Sequence, residues 1–292
     1  MSDPEKYRRM IDDALAPLGE KRAEEIRPMV WALFAMIYDD LQKAVVGNPV
    51  EHHPIVLRHM IEISKGEKSP YIPTEQAVAL GLLHDISAVD KITTQMVNQL
   101  RQEDTGKGEA LELKRQQNRI LHMREGAGMA HRRLLHLNES QGRIVFDAEA
   151  IDRVCEVIRI HDNPSLDIPI PRANWLAVAF READRLWMLT HEGILADLTR
   201  KKVGTDDPEA FRVAYDEELK SNQQKIAAPQ SYWKQLESNI ERFREERSLY
   251  RPVEGIEGPF CDDETFFRTK TGYGIFHRLR DDGFKRTGQG RS

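Results

Sequence analysis

The chain has 292 residues, 40% hydrophobic and 31% charged, with a net charge of -5, enough for about two average domains or one large helical one to bury a core. Its longest unbroken apolar run, Met29 to Tyr38, is ten residues, about half of a bilayer crossing, and the charged opening MSDPEKYRRM has no apolar stretch of the secretory kind. The two cysteines, Cys155 and Cys261, lie far apart without CxxC spacing, so membrane, secreted and disulfide-scaffold classes are set aside and a reducing, cytoplasmic setting is expected.

Apolar residues recur at three- and four-residue intervals almost throughout, and strand-like alternation is nearly absent, which predicts an all-α chain. Helices are expected over roughly 4–16, 20–44, 54–65, 74–87, 91–102, 109–121, 125–138, 147–161, 172–200, 208–221 and 229–248. Gly- and Pro-bearing breaks near Gly47, Gly66 to Pro70, Asp104 to Gly108, Pro164 to Pro171 and Gly204 separate them. After Tyr250 the texture turns Gly- and aromatic-rich (GIEGPF, TKTGYGIF, DDGFKRTGQG) and is expected to be irregular. The organisation read from this is a helical N-terminal segment over 1–44, a central helical domain over 45–200 and a helical, then irregular, C-terminal extension over 201–292.

Charge is unevenly spread. Residues 268–292 carry +5, leaving -10 on the remainder, so the body should repel nucleic acid. The tail is expected to lie on that body, anchored by Phe266, Phe267 and Phe276, with Arg278 or Arg280 available to an anionic substrate.

Histidines and aspartates carry the chemistry. Glu51-His52-His53 opens one helix, His84-Asp85 closes the apolar run AVALGLL, His122 precedes Gly126-Ala127, His161 ends VCEVIRI, and Asp184 sits within AVAFREADRLWML. The gaps of 32, 37, 39 and 23 residues are each long enough for a helix, a loop and a return, so each group can come from a different helix and face a common centre. A carboxylate set in such apolar surroundings is costly unless paired or metal-bound. For Asp184 an ion pair with Arg181 or Arg185 is the alternative. Four imidazoles and two carboxylates together make a nitrogen/oxygen shell for one or two divalent metals.

The order His, His-Asp, His, His, Asp resembles the HD-domain superfamily of metal-dependent phosphohydrolases, through EHHPIV, ALGLLHDI, HMREGAGMA, VIRIHDNP and READRL over about residues 45 to 195. The resemblance implies an HD-type helical bundle in which His52, His84, Asp85 and Asp184 hold one metal. It also implies a second metal held by His122, His161 and the shared Asp85, with the His84-Asp85 doublet as the catalytic pair. The ions would be two divalent metals from among iron, manganese, zinc, cobalt and magnesium.

Three features depart from the family pattern. HDISA stands where many members have HDIGK, so Ser87 and Ala88 replace a Gly and a phosphate-meeting Lys, and Lys91 lies a turn further on. His52 and His53 compete for the first position, with Glu51 and the spacing to Val56 favouring His52. His122 has a rival in His131, with Gly126 and Ala127 favouring His122.

The function implied is hydrolysis of a phosphate mono- or diester, a nucleotide among the candidates, with Lys91, Arg124 and Arg159 as the cations nearest to hand for the substrate. The alternatives are a di-iron oxygenase of the same ligand type acting on a small organic substrate, and a non-catalytic metal-binding module. The expected partner is a small anionic molecule rather than nucleic acid or membrane, with oligomerisation left open.

Overall fold

A computed structural model describes residues 4–43, 50–67, 72–89, 109–162, 170, 174–201, 203–204, 207–227 and 267–286. Ten α-helices and short 3-10 turns make up the described chain, without any strand among those residues. The helices are α1 (Pro4–Leu15), α2 (Glu20–Lys43), α3 (His52–Gly66), α4 (Thr74–Leu83), α5 (Glu109–Gln141), α6 (Ala148–Ile160), α7 (Trp175–Leu186), α8 (His191–Arg200), α9 (Pro208–Ala227) and α10 (Lys270–Arg286).

The hub is α3, which packs against α1, α4, α7 and α10, while α5 packs along α6 and α8 along α9. One buried apolar cluster runs through all of them, from Tyr7 and Ile11 of α1 to Ile275 and Phe276 of α10. Every residue of α4 from Gln76 to Leu83 is buried, as expected for a helix apolar on all sides. It lies unusually close to α3. A Cβ on Gly81 would stand 2.6 Å from the Leu57 Cα, so only glycine permits this approach. That contact brings the start of α3 and the end of α4 together, each carrying histidines.

Caps set several helix starts. The Asp147 carboxylate accepts the Ala150 N–H at 2.7 Å and opens α6, and the Asn174 side chain accepts from Ala177 N at 3.0 Å to open α7. The helix expected over 172–200 is interrupted. Trp187–Leu189 forms a 3-10 turn, and the Thr190 hydroxyl donates to the Trp187 carbonyl and accepts from Gly193 N, so that α8 starts afresh. Conversely, the stretches expected over 109–121 and 125–138 form the single helix α5. Its glycines at 126 and 128 each cost about 1 kcal/mol of propensity, which the packing of α5 on α6 outweighs. The helix expected over 74–87 ends at Leu83, leaving the His84-Asp85 doublet in a turn. The helices expected over 91–102 and 229–248 lie outside the described residues.

The C-terminal extension is not irregular where it is described, because residues 270–286 form α10. Tertiary contacts override its glycines. Glu182 of α7 accepts the backbone N–H groups of Arg268 and Thr269, and Thr269 Oγ1 caps Gly272 N at 2.9 Å. Glu67 accepts Thr271 N at 2.7 Å. The N–H groups at the helix start, which a helix cannot satisfy internally, thus meet two carboxylates and a hydroxyl. Phe267 and Phe276 are buried anchors, and Arg278 pairs with Glu62. Phe266 lies outside the described residues. No described helix is long and apolar enough to cross a membrane.

Candidate metal centre

His52 and His53 are neighbours at the start of α3 and therefore point about 100° apart. His53 is spent on the backbone: its Nδ1 bonds the Leu82 carbonyl at 3.0 Å. His52 faces inward, with Nε2 2.7 Å from His84 Nε2 and 3.5 Å from both Asp85 Oδ2 and Asp184 Oδ1. His84 Nε2 lies 3.6 Å from Asp85 Oδ2 and 3.9 Å from Asp184 Oδ1. The other oxygen of Asp85 looks the opposite way in chemical terms. Oδ1 is 3.1 Å from His122 Nε2 and 3.7 Å from His161 Nε2. Two groups with ligand atoms all within 4.8 Å result, His52–His84–Asp85 and Asp85–His122–His161, each able to hold a metal ion.

Hydrogen bonds behind the rings decide which nitrogen faces inward. His84 Nδ1 lies 3.1 Å from the Leu80 carbonyl and His161 Nδ1 2.7 Å from the Ile158 carbonyl. A carbonyl only accepts, so each Nδ1 carries the hydrogen. At His122 the Ser87 hydroxyl donates to the His122 carbonyl at 2.9 Å, so its oxygen accepts from Nδ1 at 2.5 Å. In all three rings the neutral form therefore turns an Nε2 lone pair toward carboxylate oxygen. Lone pair against lone pair is repulsive unless a cation or a proton lies between. The Nδ1 bonds to carbonyl or hydroxyl are the usual supports of metal-binding imidazoles. Ligand bonds of about 2.0–2.2 Å put adjacent donors about 3 Å apart, close to the spacing seen. The residues present fit a divalent metal.

The electrostatics agree. Burial pushes the Asp85 carboxyl up, but His84, His122 and His161 outweigh it and hold the group well below the usual carboxylate range. Burial pushes the His161 imidazolium down, yet the facing Asp85 carboxylate, which accepts from it, and the charge of Asp162 lift it to about 9. The cluster attracts positive charge.

Among the cations expected near a substrate, Arg124 is 71% exposed beside Glu125 and Arg159 is exposed on α6, and no described contact ties either to the cluster. Lys91 lies outside the described residues. His131 is nine residues past His122 on α5, about 13 Å along the axis, and belongs to neither group. Arg278 and Arg280 pair with Glu62 and Asp281 instead.

Three residues take parts in the site that the sequence reading did not assign to them. Ser87, noted as a departure from glycine, holds the His122 ring. Arg181 lies with Nη1 3.9 Å from Asp184 Oδ2, and it is buried rather than on the helix surface. Burial lowers its guanidinium to about 9, a fall aided by Arg185 and opposed by Asp184 and Asp162. Asp162 stands 3.8 Å from His161 Nε2 and 3.2 Å from Arg119 Nη1. Its one signal was adjacency, since His161-Asp162 repeats the His-Asp pairing of His84-Asp85.

The class that fold and site define is an all-α protein with a buried His/Asp cluster able to hold metal. Comparison with protein-family models, curated proteins and solved structures finds no match.

Proposed function

We propose that the chain is an HD-type, metal-dependent phosphohydrolase that cleaves a phosphate mono- or diester. The observation that supports this most directly is the division of labour at Asp85, whose two oxygens face two separate imidazole pairs, His52 with His84 and His122 with His161. In this reading Asp85 would serve both metal sites, with His52, His84 and Asp184 holding one ion and His122 and His161 the other. Such a pair of ions lowers the pKa of a water and neutralises phosphoryl oxygens during in-line attack. The chain's own part is to keep the donors in place. Carbonyls of Leu80 and Ile158 and the Ser87 hydroxyl hold three rings with Nε2 inward. Arg181 faces the second oxygen of Asp184.

The test is metal analysis of protein purified without chelator, combined with cleavage of nitrophenyl phosphate mono- and diesters with and without dioxygen. Hydrolysis that needs no dioxygen and responds to manganese, cobalt or magnesium is expected. Strict dependence on iron with oxygen uptake, and no ester cleavage, would replace this reading with the oxygenase.

A further inference from the structure

Resting on the phosphohydrolase reading, we propose that Arg119 anchors the substrate's phosphoryl group beside the His122–His161 side of the cluster, at a position marked by the Asp162 carboxylate. Arg119 lies three residues before His122 on α5 and so shares its face. Its Nη1 is 3.2 Å from Asp162 Oδ2, and that same oxygen is 3.8 Å from His161 Nε2. One anionic oxygen thus touches both the guanidinium and a candidate ligand nitrogen, which are at most about 7 Å apart. A phosphoryl group spans such an interval. With one oxygen on an ion held there, a second, one tetrahedral edge away, would accept an N⁺–H at about 2.8 Å.

Access and chemistry point to the same residue. The Arg119 side chain is 45% exposed, open to an incoming ligand, whereas Arg181 is buried against Asp184. Its planar fork suits the paired oxygens of a phosphoryl group.

The experiment measures inorganic phosphate binding by calorimetry to full-length, metal-loaded protein, alongside metal content. The variants are Arg119→Ala, Arg119→Lys, Arg124→Ala and Arg153→Ala, the last on the outer face of α6 beside Glu149. Arg119→Ala should keep its metal yet bind phosphate about ten- to a hundredfold more weakly. KM for nitrophenyl phosphate should rise more than kcat falls, and Arg119→Lys should recover part of the binding. Arg124→Ala and Arg153→Ala should match the parent. Unchanged phosphate affinity in Arg119→Ala, loss of metal from it, or transfer of the defect to Arg124→Ala would each overturn the assignment while leaving ester cleavage by the parent intact. A parent that holds metal but neither binds phosphate nor cleaves the ester would overturn the phosphohydrolase reading and this one with it.

Discussion

At the scale of single residues, the two oxygens of Asp85 make the sharpest demand. Its replacement by Ala should release metal from both groups and abolish activity, while His122→Ala and His161→Ala should each lose about half of the bound metal, because each touches only the Oδ1 side. Atomic absorption on the purified variants reads this directly, and full metal content in Asp85→Ala would refute the shared carboxylate. Ser87→Ala removes the acceptor behind His122. The loss of such a support typically costs about 10- to 100-fold in metal affinity, to be read by competition with a chelating dye. A histidine outside the cluster contributes to acid stability. His59 is buried with Nδ1 on the Ala183 carbonyl, and burial, only partly opposed by Glu62, lowers its pKa to about 4. Between pH 6.5 and 4 the unfolded chain takes up a proton that the folded chain refuses. His59 therefore supports the fold above that window and costs up to about 1.4 kcal/mol per pH unit on descending through it. His59→Gln should flatten the fall in urea midpoint between pH 7 and pH 5 relative to the parent. Parallel falls would mean that the ring is not held neutral.

At the scale of elements, α10 is fastened to the two helices that carry His52 and Asp184. Glu182 lies on α7, and Arg278 meets Glu62 on α3. The seat of this helix is Gly272, where a Cβ would stand 2.2 Å from Glu182 Oε2. Gly272→Ala must push the carboxylate out of the N-terminal cap, a conflict worth about 1–3 kcal/mol, at about 2–4 °C of melting temperature per kcal/mol. A thermal melt equal to the parent's would show that the cap yields without cost. The irregular tail expected from its glycines was a misreading with a specific cause. Propensity counts each glycine against a helix, whereas Gly272 is where the helix must come closest to its neighbour.

At the scale of the whole molecule, the apolar cluster runs through all the packed helices and owes little to the His/Asp cluster beside it. Removing metal with a chelator should therefore leave the helical circular dichroism intact while lowering the melting temperature. The reason is linkage, since an ion at a hundred times its Kd adds about 2.7 kcal/mol. Collapse of helicity on chelation would mean that the metal builds the fold.

Apolar spacing at three and four residues determined the helices, because the period of burial along a helix is written in the chain itself. The His-Asp doublet, His52 and His161 were legible for a related reason, as each closes or opens an apolar helix. What the sequence left open was direction. His52 against His53 turned on which ring reached the Leu82 carbonyl, and His122 against His131 on about 13 Å of helix. The placement of Ser87, Asp162 and Arg119 depends on side chains that meet across 35 and 43 residues of chain. Only the tertiary structure decided these, because a contact between helices depends on how their faces are turned and how closely Gly81 and Gly272 let them approach, and neither is encoded in local spacing.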